Sequence, residues 1–263
     1  MGDGVTDNTI TFRALLGTGD RTIHISAGVY LTGKLDIPSN TIINLDSGVT
    51  IEDNGQLGPE DRLVNIEGKN VYIKGAGARV ISNRSYYISS EQRHGIFIYG
   101  ATNVTIYGLE SSNNSGDGFY IGGPQGQPSQ EIVLENCLAS NNRRQGLSIT
   151  SARNVKVVDC EFEDTNGTAP QFGIDLEPNY PTDSLSNIVL LRPFTDANVG
   201  GGIQICLTKL DASSPEPTID IENHLSENES PAFRTVGLSN VISQISYTVA
   251  GSTAQDTSAN TSP

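Results

Sequence analysis

Two carboxylates, Asp175 and Glu177, stand one residue apart in the stretch GIDLEPN, residues 173–179. Its alternation of aliphatic and polar residues predicts a β-strand, and strands send successive side chains to opposite faces. Ile174 and Leu176 then face a core, and Asp175 and Glu177 share the outer face. Same-face neighbours two apart on a strand have Cβ atoms roughly 6.5–7 Å apart, from the strand rise. Glycoside hydrolysis needs one carboxylic acid to protonate the leaving oxygen and one carboxylate to activate water, about 6.5–9.5 Å apart for inversion. The pair falls in that range, and mutual repulsion raises the pKa of one member, as a general acid requires. The first expectation is an endo-acting glycan hydrolase with Glu177 as acid and Asp175 as base.

The elements that hold this pair repeat. HGIFIYG, DGFYIGG, QGLSITS, FGIDLEP and GGIQICL each place a glycine before a short alternating strand, at Gly95, Gly118, Gly146, Gly173 and Gly202, spaced by 23, 28, 27 and 29 residues. A second strand follows each of the first four (NVTIYGLE, EIVLENCL, NVKVVDCE, NIVLLRPF), with Asn-rich turns between. Such a period, without a helix, predicts a parallel β-helix: each repeat is one coil whose strands pair with those of the coils on either side, about 4.8 Å away. Inward ladders are then Ile96, Phe119, Leu147, Ile174 and Ile203, and Ile98, Ile121, Ile149, Leu176 and Ile205. The second strand adds Val104, Ile132, Val155 and Ile188, and Cys137 and Cys160 fall inward between Leu109 and Pro193 as a buried thiol ladder. The pairs Asn113–Asn114 and Asn141–Asn142 read as turn-stabilising ladders. Ahead of the coils, residues 7–16 read as a capping helix with Asp7 near its N-cap and Ile10, Phe12, Ala14 and Leu15 apolar. Residues 1–250 form the β-helix domain, and 251–263 a Ser/Thr-rich tail or linker.

Stacking the repeats gives the outer face. One column is Phe97, Tyr120, Ser148, Asp175 and Gln204; the next is Tyr99, Gly122, Thr150, Glu177 and Cys206. A third, just before each glycine, is His94, Asp117, Gln145, Phe172 and Gly201, with Arg143 and Arg144 in the turn ahead of Gln145. Aromatics, arginines, a histidine and three carboxylates on one side compose a sugar-binding groove, where rings stack on sugar faces and polar groups grip hydroxyls. Asp117, two coils from Asp175, is a second-choice catalytic partner at roughly 10 Å or more by the strand spacing. Tyr120, His94, Arg143, Arg144, Gln145 and Gln204 are the substrate-binding candidates. Each has a structural alternative: a solvated face for the carboxylates, an ion pair for the arginines, a satisfied turn residue for His94, outer packing for Tyr120.

A net charge of −14, from 16 basic and 30 acidic residues, argues against nucleic acid and against an anionic membrane surface. No apolar run approaches the roughly 20 residues of a membrane span. Three cysteines without metal-ligand spacing give no metal site. The opening MGDGVTDN is polar, and no leader or upstream domain is seen in it.

The stretch GDGVTDNT, the capping helix and ISAGVYLTGKLDIPSNTIINLDSGVTI resemble the start of the pectate-lyase-like right-handed parallel β-helix superfamily, with Asn8 in place of an Asp and Ser26 in place of a Pro. The resemblance covers nearly the whole chain. It implies an all-β, single-stranded right-handed β-helix, a polysaccharide partner, an extracellular setting (secreted or virion-associated) and, from tailspikes, a homotrimer. For chemistry this scaffold is permissive. The Asn-Thr-Asp and Gly-His-Gly motifs of polygalacturonases are absent, as is the Asp-Pro-His-Glu motif of mannuronan C5-epimerases. Two alternatives therefore stand beside the hydrolase, which needs no cofactor. One is a lyase or C5-epimerase on a uronic-acid polymer, with Ca²⁺ on Asp175, Glu177 and Asp117 and with Arg143, Arg144, His94 or Tyr120 as neutraliser or base. The other is a non-catalytic glycan-binding spike.

Overall fold

The computed structural model describes residues 1–86 and 91–250. The expected tail, 251–263, lies outside the described residues. Eight short strands stack in chain order into one parallel sheet: β1 (Leu35–Ile37), β2 (Val64–Ile66), β3 (Ile96–Tyr99), β4 (Phe119–Gly122), β5 (Leu147–Ile149), β6 (Phe172–Leu176), β7 (Gly201–Cys206) and β8 (Phe233–Val236). A 15-stranded sheet forms the remaining faces, so the chain is a parallel β-solenoid. Pairing is in register from coil to coil: Phe119 with Leu147, Leu147 with Ile174, Ile174 with Ile203. Both inward ladders are fully buried. Each such side chain stabilises the fold by about 1.5–3 kcal/mol relative to exposure.

The buried cysteines stack as expected, with the Cys137 N–H donating to Cys160 Sγ at 3.3 Å. The asparagines also stack. Asn114 Nδ2 donates to Asn142 Oδ1 (2.8 Å) and Asn141 Nδ2 to Asn113 Oδ1 (2.6 Å). Asn113 and Asn141 hold positive φ, which asparagine tolerates better than most residues.

The capping helix α1 (Thr9–Leu16) is two residues shorter than expected, with Asn8 at its N-cap. Asp7 stays outside it and accepts from the Thr9 N–H (2.9 Å) and Thr9 Oγ1 (2.5 Å). Phe12 and Leu16 cover the core, whereas Ile10 and Leu15 face outward. Only one stripe of so short a helix can reach the open end of the solenoid. Among the described residues no helix is long and apolar enough to cross a membrane.

Two buried polar clusters tie the coils together. Arg93 Nη2 meets Asp53 Oδ2 at 2.7 Å, with both side chains almost wholly buried. Arg93 also donates to the Tyr86 carbonyl, and its own carbonyl accepts from Ser82 Oγ (2.7 Å) and the Gly116 N–H (2.9 Å). This pins the segment Glu91–His94 against the coil of β4. A Cβ at Gly116 would sit 2.8 Å from His94 Nδ1, so the close approach needs glycine.

At the far end His224 is fully buried, between Tyr247 Oη (3.0 Å from Nδ1) and Thr195 Oγ1 (2.7 Å from Nε2). Thr195 Oγ1 passes its own proton to Glu229 Oε1, which also accepts from Ser226 Oγ (2.7 Å). Thr195 therefore accepts from the His224 Nε2–H, and Tyr247 donates to Nδ1. Protonating Nδ1 would break that bond, and burial holds the imidazole down at about 4.

Replacing Asp53 by Asn leaves the Arg93 charge buried without its partner. We expect the unfolding midpoint in urea to fall by the equivalent of about 3 kcal/mol, near the cost of a broken buried pair. The double variant Asp53→Asn/Arg93→Met should lose less than the sum of the two single changes. For His224 the folded pKa lies below the unfolded value, so the unfolded chain binds the extra proton first. Stability from this group is complete above about 6.5 and is lost as pH falls toward 4, by at most about 3 kcal/mol. The difference between wild-type and His224→Gln unfolding curves across that window should show this slope.

Candidate functional site

In-register stacking produces one outward column, Asp36, Asn65, Phe97, Tyr120, Ser148, Asp175, Gln204 and Arg234, one residue from each strand of the sheet. Its middle is not a bare solvated face. Phe97, Ser148, Asp175 and Gln204 are all buried, because the segment ending in His94 and the turn after β6 flank them. Between these walls lies a pocket of about 90 Å³. His94, Tyr120, Ser148, Thr150, Asp175 and Glu177 line it, with Glu91, Gln92, Arg144 and Asn179 around them.

Asp175 is 1% exposed and is gripped from both neighbouring coils. Gln145 Nε2 donates to Oδ2 at 2.8 Å and Gln204 Nε2 to Oδ1 at 3.0 Å. Gln145 cannot turn over, because its Oε1 accepts the Phe172 N–H at 2.8 Å. Gln204 can, since its Oε1 has no partner among the described residues. It can donate to a carboxylate or, turned over, accept from a carboxylic acid. Burial, with the Glu177 charge beside it, pushes Asp175 up to about 7. Glu177 is more exposed, just past the strand end, and its N–H donates to the Ile149 carbonyl at 3.0 Å. Both carboxyl groups thus line one pocket in different surroundings.

Asp117 stands behind the pocket wall. Its Oδ2 accepts from Ser148 Oγ (2.8 Å) and lies 3.4 Å from Arg144 Nη1, and burial pushes it up to about 6. Its backbone N–H donates to His94 Nδ1 at 3.0 Å, so the imidazole proton sits on Nε2. Asp117 Oδ2 also approaches His94 Nδ1 at 3.4 Å, but a nitrogen that accepts an N–H there cannot form an ion pair. Burial holds His94 well below its usual range, and the Arg144 and Arg62 charges add to this. His94 is therefore a neutral donor. Its ring stacks on Tyr120 (4.9 Å), Tyr120 on Phe97 (5.1 Å), and Arg62 covers Phe97 at 4.3 Å.

The candidates thus divide into pocket residues and supports. Asp175, Glu177, Tyr120, His94 and Arg144 meet in the pocket. Gln145, Gln204 and Asp117 support it from behind, one layer back from where the outward columns alone place them. Arg143 is a correction. It does not line the pocket; its N–H donates to Asn114 O, its carbonyl accepts from the Thr168 N–H, and its charge acts on Arg84, whose guanidinium is pushed down by burial and by the Arg143 charge. Reading the repeats missed Glu91, Gln92 and Asn179. The signal was available in the sequence, where NRSYYISSEQR, residues 83–93, breaks the run of glycine-led strands just ahead of His94.

Carboxylates facing guanidinium and amide N–H groups have much of their acceptor capacity already taken. Among the described residues no three His, Cys, Asp or Glu side chains converge as a metal cluster.

Residues 69–242 match the family described as "Right handed beta helix region". Protein YclG of Bacillus subtilis (strain 168) is 30% identical over 213 residues, 66% of this chain and 36% of that protein. The pre-mature bacteriophage phi29 gene product 12 superposes with a TM-score of 0.76 at 20% identity, over 90% of this chain and 33% of its own. The tailspike gp49 of Acinetobacter baumannii bacteriophage Fri1, a capsular polysaccharide depolymerase, gives 0.68 at 16% identity, over 93% of this chain and 51% of its own. The chain spans about a third of the length of the curated relatives it matches. With its solenoid of in-register coils and a matched region of two thirds of its length, the chain belongs to the right-handed β-helix family.

Proposed function

We propose that this β-helix is a polysaccharide-active domain that hydrolyses a glycan in the Asp175/Glu177 pocket. One observation carries the reading: two same-face carboxyl groups share a pocket, and burial holds one of them protonated near neutral pH. The sequence expectation made Glu177 the acid. Burial favours the reverse, because the deeper group keeps its proton while the more exposed one, open to water, can ionise. Asp175 then protonates the leaving oxygen and Glu177 takes the proton of the attacking water. A separation of roughly 6.5–7 Å from the strand rise suits inversion of the anomeric centre. Gln145 and Gln204 are positioning residues that keep Asp175 aimed in either protonation state.

The pocket lies on middle coils with further coils on both sides, which supports attack within a chain. Donors already arrayed on the carboxylates support a reaction without Ca²⁺. The likeness to a phage tailspike that depolymerises capsular polysaccharide supports a polysaccharide partner and an extracellular or virion-associated setting. The Bacillus phage appendage relatives favour a second reading, a glycan-binding spike without turnover.

The deciding experiment follows new reducing ends and new unsaturated ends on a panel of polysaccharides. Reducing ends alone indicate hydrolysis. Unsaturated ends indicate elimination and overturn the proposal; binding without either product indicates the spike. Asp175→Asn and Glu177→Gln should each lower turnover by about 10²–10⁴-fold, the usual contribution of general acid–base catalysis, while glycan affinity stays close to wild type.

With Asp175 as acid, kcat/KM should fall as pH rises through about 7. The same group affects stability. Its folded pKa lies above the unfolded value, so the folded state binds the proton first and wild-type stability declines as pH rises from about 4 through 7. Asp175→Asn should remove that decline and melt above wild type at alkaline pH.

A further inference from the structure

The charges around the pocket point to the kind of sugar it takes. Glu91 stands at the rim, Glu177 and Asp175 line the cavity, and Asp117 lies directly behind it. Arg144 is the cationic side chain on the wall, and its charge is already shared between two carboxyl groups. Nη1 lies 3.4 Å from Asp117 Oδ2 and Nε 3.4 Å from Glu91 Oε2. Arg62 covers the Phe97 ring and donates to Gln92 Oε1 and to the Glu60 carbonyl at 2.7 Å. Arg143 does not line the pocket, and residues 87–90 include no Lys or Arg. The whole chain adds a net charge of −14.

Beside these carboxyl groups stands an unpartnered buried donor. His94 is 1% exposed, and its Nε2–H has no partner among the described residues. A uronate placed here would set its carboxylate against Glu177 and Glu91, with the Arg144 charge already shared between Glu91 and Asp117, and like-charge juxtaposition is strongly unfavourable. A sugar carrying hydroxyl or ammonium donors fits instead. Its O–H or N–H groups meet Glu177, the glycosidic oxygen accepts from the Asp175 carboxylic acid, and a ring or hydroxyl oxygen accepts from His94 Nε2–H.

We infer that the pocket selects an uncharged or amino sugar and excludes a uronic acid at the reacting position. This rests on the reading of the pocket as a glycan site. The inference also counts against the lyase and epimerase chemistries, which act on a uronate and need its charge neutralised.

The test uses matched polymers: a uronic-acid polysaccharide such as hyaluronan, polygalacturonate or alginate, the carboxyl-reduced form of each, and chitosan oligosaccharides. Cleavage and affinity are both measured, at low and moderate salt. A reduced or amino member should be preferred at least tenfold over its uronate counterpart, with the gap narrowing as salt rises. Glu91→Gln at the exposed rim frees Arg144 and should raise uronate affinity several-fold without disturbing the fold. Hydrolysis that favours the uronate member overturns this inference and leaves the hydrolase reading standing. If wild type neither binds nor cleaves any polymer in the panel, the glycan reading itself falls, and this inference with it.

Discussion

In-register parallel pairing between coils is the constraint from which the rest of this molecule follows. Each strand of the eight-strand sheet finds its hydrogen bonds in the coils on either side, so residues 23 to 32 apart in the chain become neighbours about 4.8 Å apart. Ser148, Asp175 and Gln204 are distant in sequence and adjacent in one column for that reason. A slip of one residue would carry Ile174 outward and Asp175 into the core, where an unpaired carboxylate could not be tolerated. The buried aliphatic ladders therefore do more than hold the coils together. They fix which side chains can form a site.

On that scaffold the site is built from conflict. Asp175 is placed in a nearly water-free layer beside another carboxylate, and Asp117 is buried behind it. Amide, hydroxyl and guanidinium donors soften the conflict without removing it, and the protein keeps carboxyl groups that bind protons near neutral pH. A fold under selection for stability alone has little reason to do so, whereas an acid catalyst needs such a group. The neutral His94, locked as an Nε2–H donor by the Asp117 backbone, and the ring stack beneath it complete a pocket suited to hydroxyl-bearing ligands.

The pocket also depends on a segment that does not repeat. Glu91 and Gln92 precede Arg93, and the buried Asp53–Arg93 pair ties that stretch to a coil ahead of the site. Without this wall the outward column would be an open, solvated sheet face, and its carboxyl groups would have ordinary properties.

The sequence alone determined the solenoid, both inward aliphatic ladders, the cysteine and asparagine stacks, and the outward column that holds Tyr120, Asp175 and Gln204. These follow from a strand period of two and a coil period near 28, which are local and repeated. Tertiary structure decided what the period cannot reach. It buried Asp175 and left Glu177 more exposed, kept Arg143 out of the pocket while leaving Arg144 in it, moved Gln145, Gln204 and Asp117 into support, and exposed Ile10 and Leu15 on the cap. Alternation says which face a side chain takes; it does not say what covers that face. Desolvation, which sets the chemistry of a carboxyl group, depends on that cover, and here the cover comes from segments outside the repeat.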